Sequence, residues 1–255
     1  MTLAQAIVST DTLLGFLSGF GEGVDDLFCE IKDMSIVGAV DVDTHYCFKS
    51  MPTLLDNSIT YRAGEVYIPY LSKVCAFLKA AKEPKTVIRH VGGTFHLKNG
   101  NDEFSTPTYT EILSHQSVAR AKMAVAGAES NGWKTLGRAE LSCHGTLVMS
   151  ELHGLEAMMK VTAKDSPVRI SVEEDEMTVS AGSSLGARMS RRLDVDCQQN
   201  SASVETVFSS ALPKLLRIMG SGNVEFHIGN RSALVLIHQD VNATLVLKHQ
   251  EGADR

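Results

Sequence analysis

Val87-Ile88-Arg89-His90-Val91-Gly92 returns later in the chain as Val224-Glu225-Phe226-His227-Ile228-Gly229, at an offset of 137 residues. Further out, Thr12-Leu13-Leu14-Gly15-Phe16 is answered by Glu151-Leu152-His153-Gly154-Leu155 at an offset of 139. Between these landmarks lie two apolar helical stretches, Leu71 to Ala81 and Phe208 to Met219, again displaced by 137 to 138. Landmarks in one order at nearly one spacing mean two copies of a single unit. On this alignment His90 and His227 hold equivalent positions, which favours a structural role for both.

Each half of the 255 residues is long enough to bury a core of its own. A hydrophobic fraction of 44% and a charged fraction of 21% are ordinary for a globular protein. No apolar run approaches the roughly 20 residues of a membrane helix, and the first residues lack the basic and apolar blocks of a secretory signal. Five cysteines, an odd number without a CxxC pair, read as reduced thiols in an intracellular protein. A net charge of -6 argues against a nonspecific nucleic-acid binder. The total conceals an uneven distribution, because several lysines and arginines fall within the helical stretches.

The periodicity predicts the following elements in the first unit. A helix starts at Asp11 as N-cap and runs to about Gly21, followed by strands over Leu27 to Met34 and Val37 to Phe48. Short strands cover Ile59 to Tyr61 and Glu65 to Ile68, and the Leu71 helix ends at Glu83-Pro84. Gly92-Gly93 then joins two hairpin strands. Residues from about Asn101 to Gly137 form a long connector with a helix over Val118 to Ala128. In the second unit, a strand from Ala139 to Val148 leads to a helix capped by Ser150 and ending near Ala163. Strands cover Val168 to Val172, Met177 to Ala181, Gly186 to Val195 and Val204 to Phe208. The helix Ser209 to Met219 tolerates Pro213 only in its first turn. Val224 to Ile228, Ala233 to His238 and Ala243 to Lys248 complete the chain. This ordering predicts an α+β protein of two similar domains, with helices on one face of mainly antiparallel sheets.

Motifs for chemistry are sparse. HExxH, paired-cysteine spacing and an Asp-rich loop are all missing, so neither metal nor cofactor is expected. Cys143-His144 are neighbours on a strand and point to opposite faces. Gly182 to Gly186 lacks the lysine of a phosphate loop. His45, Asp43 and Cys47 make the one tempting titratable cluster.

The duplicated order resembles the DNA sliding clamp family: proliferating cell nuclear antigen, its archaeal relatives and the T-even phage processivity factors. Three passages carry the likeness: Met177-Thr-Val-Ser-Ala-Gly-Ser-Ser-Leu-Gly-Ala-Arg-Met189, Val42-Asp43-Thr44-His45-Tyr46, and the Phe208 helix with its following strands. The resemblance implies a duplicated clamp fold, with domain 1 over 1–105, a connector over 106–137, domain 2 over 138–250 and a polar tail over 251–255. It also implies a homotrimeric ring of six units around duplex DNA. A closed ring replaces tight contacts with topology, so a tethered polymerase stays on DNA yet slides without regard to sequence.

Within that frame Lys73, Lys79 and Lys82 beside the first apolar stripe, Lys160 with Lys164, and Lys214 with Arg217 are the candidate DNA contacts. Their bland reading is a solvated helix face. The helix from Asp11 to Gly21 departs from the family by carrying no Lys or Arg. A groove for partner peptides would involve Val42, His45 and Tyr46, then Tyr109, Ile112 and Leu113 of the connector, and Val246 and Leu247 near the C-terminus. These residues could equally pin the connector to the sheet. The expected function is a nonenzymatic, intracellular processivity clamp that binds DNA polymerase and a clamp loader. Two alternatives stand beside it: a monomeric DNA-binding polymerase accessory of the same fold, and an enzyme with a cleft between its duplicated halves.

Overall fold

The computed structural model describes residues 4–21, 24–32, 35–43, 45–51, 61–108, 112–152, 154–162, 166–182, 186–199 and 203–250. It divides into two compact units, Met1–Val40 with Phe48–Val118, and Asp41–Cys47 with Ala119–Arg255. The predicted strand Ile59 to Tyr61 falls mostly outside the described residues.

In chain order, unit 1 holds β1 (Ala4–Ser9), α1 (Thr10–Ser18), β2 (Leu27–Lys32), β3 (Ser35–Val42), β4 (His45–Met51), β5 (Gly64–Ile68), α2 (Leu71–Ala80), β6 (Lys85–Val91), β7 (Thr94–Asn99) and β8 (Asp102–Pro107). The opening residues of β4 belong to unit 2. The long helix α3 (Ile112–Ser130) and the small ladder β9 (Thr135–Leu136) and β10 (Ala139–Glu140) come next. Unit 2 then runs β11 (Cys143–Val148), α4 (Met149–Leu152), α5 (Leu155–Val161), β12 (Val168–Glu173), β13 (Glu176–Gly182), β14 (Arg188–Asp194), β15 (Asp196–Gln199), β16 (Val204–Phe208), α6 (Leu212–Ile218), β17 (Asn223–Ile228), β18 (Ala233–His238) and β19 (Ala243–Lys248).

The duplication is a duplication of sheet topology. Unit 1 has strand orders β1-β6-β7-β8 and β4-β3-β2-β5, and unit 2 has β11-β17-β18-β19 and β14-β13-β12-β16, with β15 added outside β11. Ladders of known register are antiparallel throughout, as in β6 with β7 and β17 with β18. Alternate residues of each strand turn inward, so β1, β2 and β12 share a buried-then-half-buried pattern that ends at an exposed residue. The α+β expectation holds.

Ladder register corrects the alignment of the two copies. Ala4 lies opposite His90, and Cys143, at the matching start of β11, lies opposite Ile228. The buried pair Thr86 and Ile88 therefore corresponds to Val224 and Phe226, an offset of 138. On this register His90 answers to Ile228, and His227 answers to Arg89. A one-residue shift on a strand moves a side chain to the other face, so the two histidines are not equivalent. They are held differently as well. His90 Nδ1 donates to the Glu65 carbonyl at 3.2 Å, which leaves Nε2 to accept from the Thr108 hydroxyl at 2.9 Å. His227 bonds Glu225 at 2.8 Å and stacks between Trp133 and His144.

Other boundaries moved for identifiable reasons. Ser9, not Asp11, caps α1, its hydroxyl accepting the Thr12 N–H at 3.4 Å. The single strand expected over Val37 to Phe48 is two, broken at Asp43, whose φ of 51° reverses the chain. Strand β8 lies where the connector was expected to begin, and α3 runs for 19 residues with Val118, Ala121, Val125 and Ala128 buried on one face. In unit 1, Leu13, Phe16 and Leu17 of α1 meet Cys29, Ile31, Ile36, Val66, Ile68 and Ile88, which is the core over which the helices sit.

Candidate nucleic-acid interface

Each unit carries one two-sided helix at matching positions. In α2, Leu71, Val74 and Leu78 are buried at helical spacing, and each buried side chain of this size contributes about 1.5–3 kcal/mol. That orientation leaves Ser72, Lys73, Ala76 and Lys79 exposed. Lys82 lies exposed just past the helix, its backbone N–H donating to Asn99 Oδ1 at 3.1 Å. In α6, Leu212, Pro213, Leu215, Leu216 and Ile218 are buried and Lys214 and Arg217 are exposed, with Pro213 in the first turn as its missing N–H requires. The 138-residue register superposes Val74 on Leu212, Leu78 on Leu216 and Lys79 on Arg217. Both copies thus hold an apolar inner stripe and a basic outer one.

The remaining predicted contacts behave differently. Lys160 is in α5, which spans Leu155–Val161, while Lys164 lies outside the described residues. Helix α1 packs beside α2 and has no basic residue; its exposed positions are Asp11, Thr12, Gly15 and Ser18.

Two features escaped sequence reasoning. Tyr70 precedes α2 with a left-handed φ of 53° and is 52% exposed, with Lys73 Nζ 4.8 Å above its ring. The pair is a cation–π contact at the start of the helix. Lys49 of β4 brings its ammonium over Gly19, where a Cβ would come within 2.5 Å of Nζ. A basic group therefore lies at the end of α1 although none is in the helix. No sequence pattern links residues 30 positions apart in that way.

The residues expected to form a partner groove fall in different settings. His45, Tyr46, Val246 and Leu247 are buried, at 1%, 3%, 2% and 0% exposure, so they build the interior and offer no open apolar surface. Val42 is half-buried, Tyr109 lies outside the described residues, and Ile112 and Leu113 open α3. His45 is a structural pin. Its Nδ1 accepts the Lys248 N–H at 3.3 Å, which leaves Nε2–H to donate to Ser209 Oγ at 3.0 Å. Burial holds this imidazole below its ordinary range, against the opposing pull of Asp43 and Asp41. With both ring nitrogens bonded and Cys47 fully buried, the His45, Asp43 and Cys47 cluster has no accessible nucleophile–base pair. Among the described residues no group of three or more His, Cys, Asp or Glu side chains is placed to hold a metal ion. Among them, too, no helix is long and apolar enough to cross a membrane.

Two sheet edges complete the picture. Strand β8 ends one sheet of unit 1 and opens with exposed Asp102 and Glu103. Strand β14 ends one sheet of unit 2 and exposes Arg188, Arg191 and Arg192. Charges on edges of this kind discourage indiscriminate pairing. Two further edges are occupied: β1 bridges Arg62, and β16 bonds residues 231 and 250 through backbone N–H groups.

These features define the DNA sliding clamp fold, and solved structures agree. Proliferating cell nuclear antigen from Thermococcus kodakaraensis is 12% identical with a TM-score of 0.63, over 97% of this chain and 99% of that one. The DNA polymerase sliding clamp of Caulobacter crescentus is 12% identical with a TM-score of 0.70, over 98% of this chain and 67% of its own. That of Pseudomonas aeruginosa is 11% identical with a TM-score of 0.67, over 97% and 66%. The chain therefore spans about two thirds of the length of the bacterial clamps and nearly all of the archaeal protein. No protein-family model and no curated protein matches the sequence.

Proposed function

We propose that this protein is a sliding clamp: copies of the chain close into a ring around duplex DNA and tether a DNA polymerase. The observation that carries the reading is the mutual coverage with the archaeal clamp, 97% of one chain against 99% of the other, so both units and their order are accounted for. A two-unit chain suits a ring of three copies. Lys73, Lys79, Lys82, Lys160, Lys164, Lys214 and Arg217 are the proposed phosphate contacts. Exposed ammonium and guanidinium groups on regular helices attract the backbone without reading bases, so the ring remains free to slide. The chain's overall negative charge keeps attraction local to those faces.

Closure is proposed through the acidic β8 edge of one copy and the basic β14 edge of the next. A head-to-tail contact of this sort closes when its rotation fits a whole number of copies. A DNA polymerase is the proposed partner, and a clamp loader is the expected opener of the ring.

Light scattering on a size-exclusion column at micromolar concentration tests the assembly. The expected mass is three copies, and charge reversal of Asp102 and Glu103 shifts it to one. A strict monomer for the unaltered chain would overturn the ring. A monomer that binds linear DNA with steep salt dependence would instead support the direct-binding accessory.

A further inference from the structure

We propose that Cys143 and Cys197 are a redox modification site that closes to an intrachain disulfide. Their sulfurs lie 3.0 Å apart, on neighbouring antiparallel strands β11 and β15. A disulfide bond is about 2.05 Å long, so about 1 Å of movement suffices. The register makes the closeness informative, since Cys143 is opposite Gln199 and Cys197 is opposite Gly145. The two cysteines are thus diagonal partners, which normally sit farther apart than direct ones. Gly145 removes the obstacle: a Cβ there would come within 2.1 Å of the Asp196 carbonyl oxygen, so only glycine lets β15 approach this near. Both side chains share the face of the sheet that Gly145 occupies.

The two thiols differ in access, Cys143 being buried and Cys197 half-buried. That difference orders the chemistry. Cys197, as thiolate, attacks hydrogen peroxide, displacing hydroxide and becoming a sulfenic acid. Cys143 then attacks the sulfenyl sulfur, forming the S–S bond and releasing hydroxide. With the two thiol protons the balance is two thiols and one peroxide to one disulfide and two waters; the sulfurs lose two electrons and the peroxide gains them. A small disulfide reagent achieves the same closure by exchange, releasing two thiols. Sulfur placed beside a resolving sulfur is the arrangement that reversible thiol oxidation needs.

Closure ties β15 to β11. Only Val195 separates β15 from β14, so oxidation anchors one end of the proposed β14 subunit edge. The disulfide itself does not rest on the ring reading. The test treats the full chain with limiting hydrogen peroxide, caps remaining thiols with N-ethylmaleimide and maps the peptides without reduction. The expected result is one Cys143–Cys197 linked species, lighter by about 2 Da and reversed by dithiothreitol. Cys29 and Cys47 should stay alkylatable after unfolding. Cys197→Ser, at the half-buried position, should abolish the linked species while retaining the reduced protein's circular dichroism. Amide exchange at 196–199 should slow on oxidation of the unaltered chain. Full capping of Cys143 and Cys197 after peroxide, or cross-links between chains only, would overturn the site, as would a Cys197 sulfinic acid without the linked peptide.

Discussion

The two copies of Leu-x-Gly-hydrophobic, around Gly15 and Gly154, start from similar sequence and end in different structures. In unit 1 the glycine sits inside an unbroken nine-residue helix, and a Cβ at Gly15 would meet nothing within 4 Å. In unit 2 the corresponding region is broken into α4 and α5 with Gly154 at the joint. The cause lies in another strand. Arg191 of β14 donates to the Glu151 carbonyl at 2.8 Å, and a Cβ on Gly154 would come within 2.4 Å of its guanidinium. A distant arginine thus captures the carbonyl that a continuing helix would use for itself. Local sequence proposes the helix, and a tertiary partner decides its length. The copies differ in charge for an equally specific reason, with α1 lacking any basic residue and Lys49 standing near its end.

The two units share most at the core beneath α2 and α6. Leu78→Ala and Leu216→Ala, superposed by the 138-residue register, should each cost about 2–5 kcal/mol in denaturant unfolding. A large loss at one and none at the other would break the equivalence of α2 and α6. Next in size is charge. Replacing Lys73, Lys79, Lys214 and Arg217 by alanine together should weaken DNA retention by about ten- to a hundredfold and reduce the salt slope by roughly 3 to 4. Adding charge where unit 1 lacks it, Thr12→Lys with Ser18→Lys, should move retention the opposite way by a few-fold.

The pH dependence singles out unit 2, which holds His45. Its folded proton affinity lies below that of the unfolded chain, at about 6.5, so the unfolded state binds more protons as pH falls. Stability from this group is therefore complete above that value and declines as pH drops through it. Thermal midpoints measured from pH 7.5 down to 5.5 should fall, and His45→Gln should flatten part of the decline. The smallest effects fall on the glycines that opened the comparison. Gly15→Ala should stabilise by about 0.5–1 kcal/mol, since its helix has room and loses a flexible residue. Gly154→Ala should destabilise by about 1 kcal/mol as Arg191 gives up the Glu151 carbonyl. Opposite signs at these two sites are the signature of the tertiary break.

Much of this fold is legible in the sequence because its ends are strongly patterned. The three closing strands, Val224–Ile228 within β17, Ala233–His238 and Ala243–Lys248, stand where alternation of apolar residues places them. Pro213 fixes the start of α6 by its missing N–H. Polar edges carry no such signal: β8 begins Asp102-Glu103 and buries little, so it reads as connector. The His-x-Gly match misleads by one residue because identity of letters ignores the ladder, where burial chooses the face. The basic faces of α2 and α6 are readable from lysine spacing against an apolar stripe. Tyr70 beside Lys73 depends on a left-handed backbone turn, and His45 as a pin depends on Ser209 and Lys248, both far along the chain.

A ring holds DNA by topology, so retention on DNA of two shapes distinguishes it from a protein held by contacts alone. The protein, with the proposed loader and polymerase, is placed on nicked circular duplex DNA, and the bound amount is followed after a single cut makes the circle linear. Long retention on the circle and rapid loss after linearisation are expected. Equal retention on circular and linear DNA would contradict the ring.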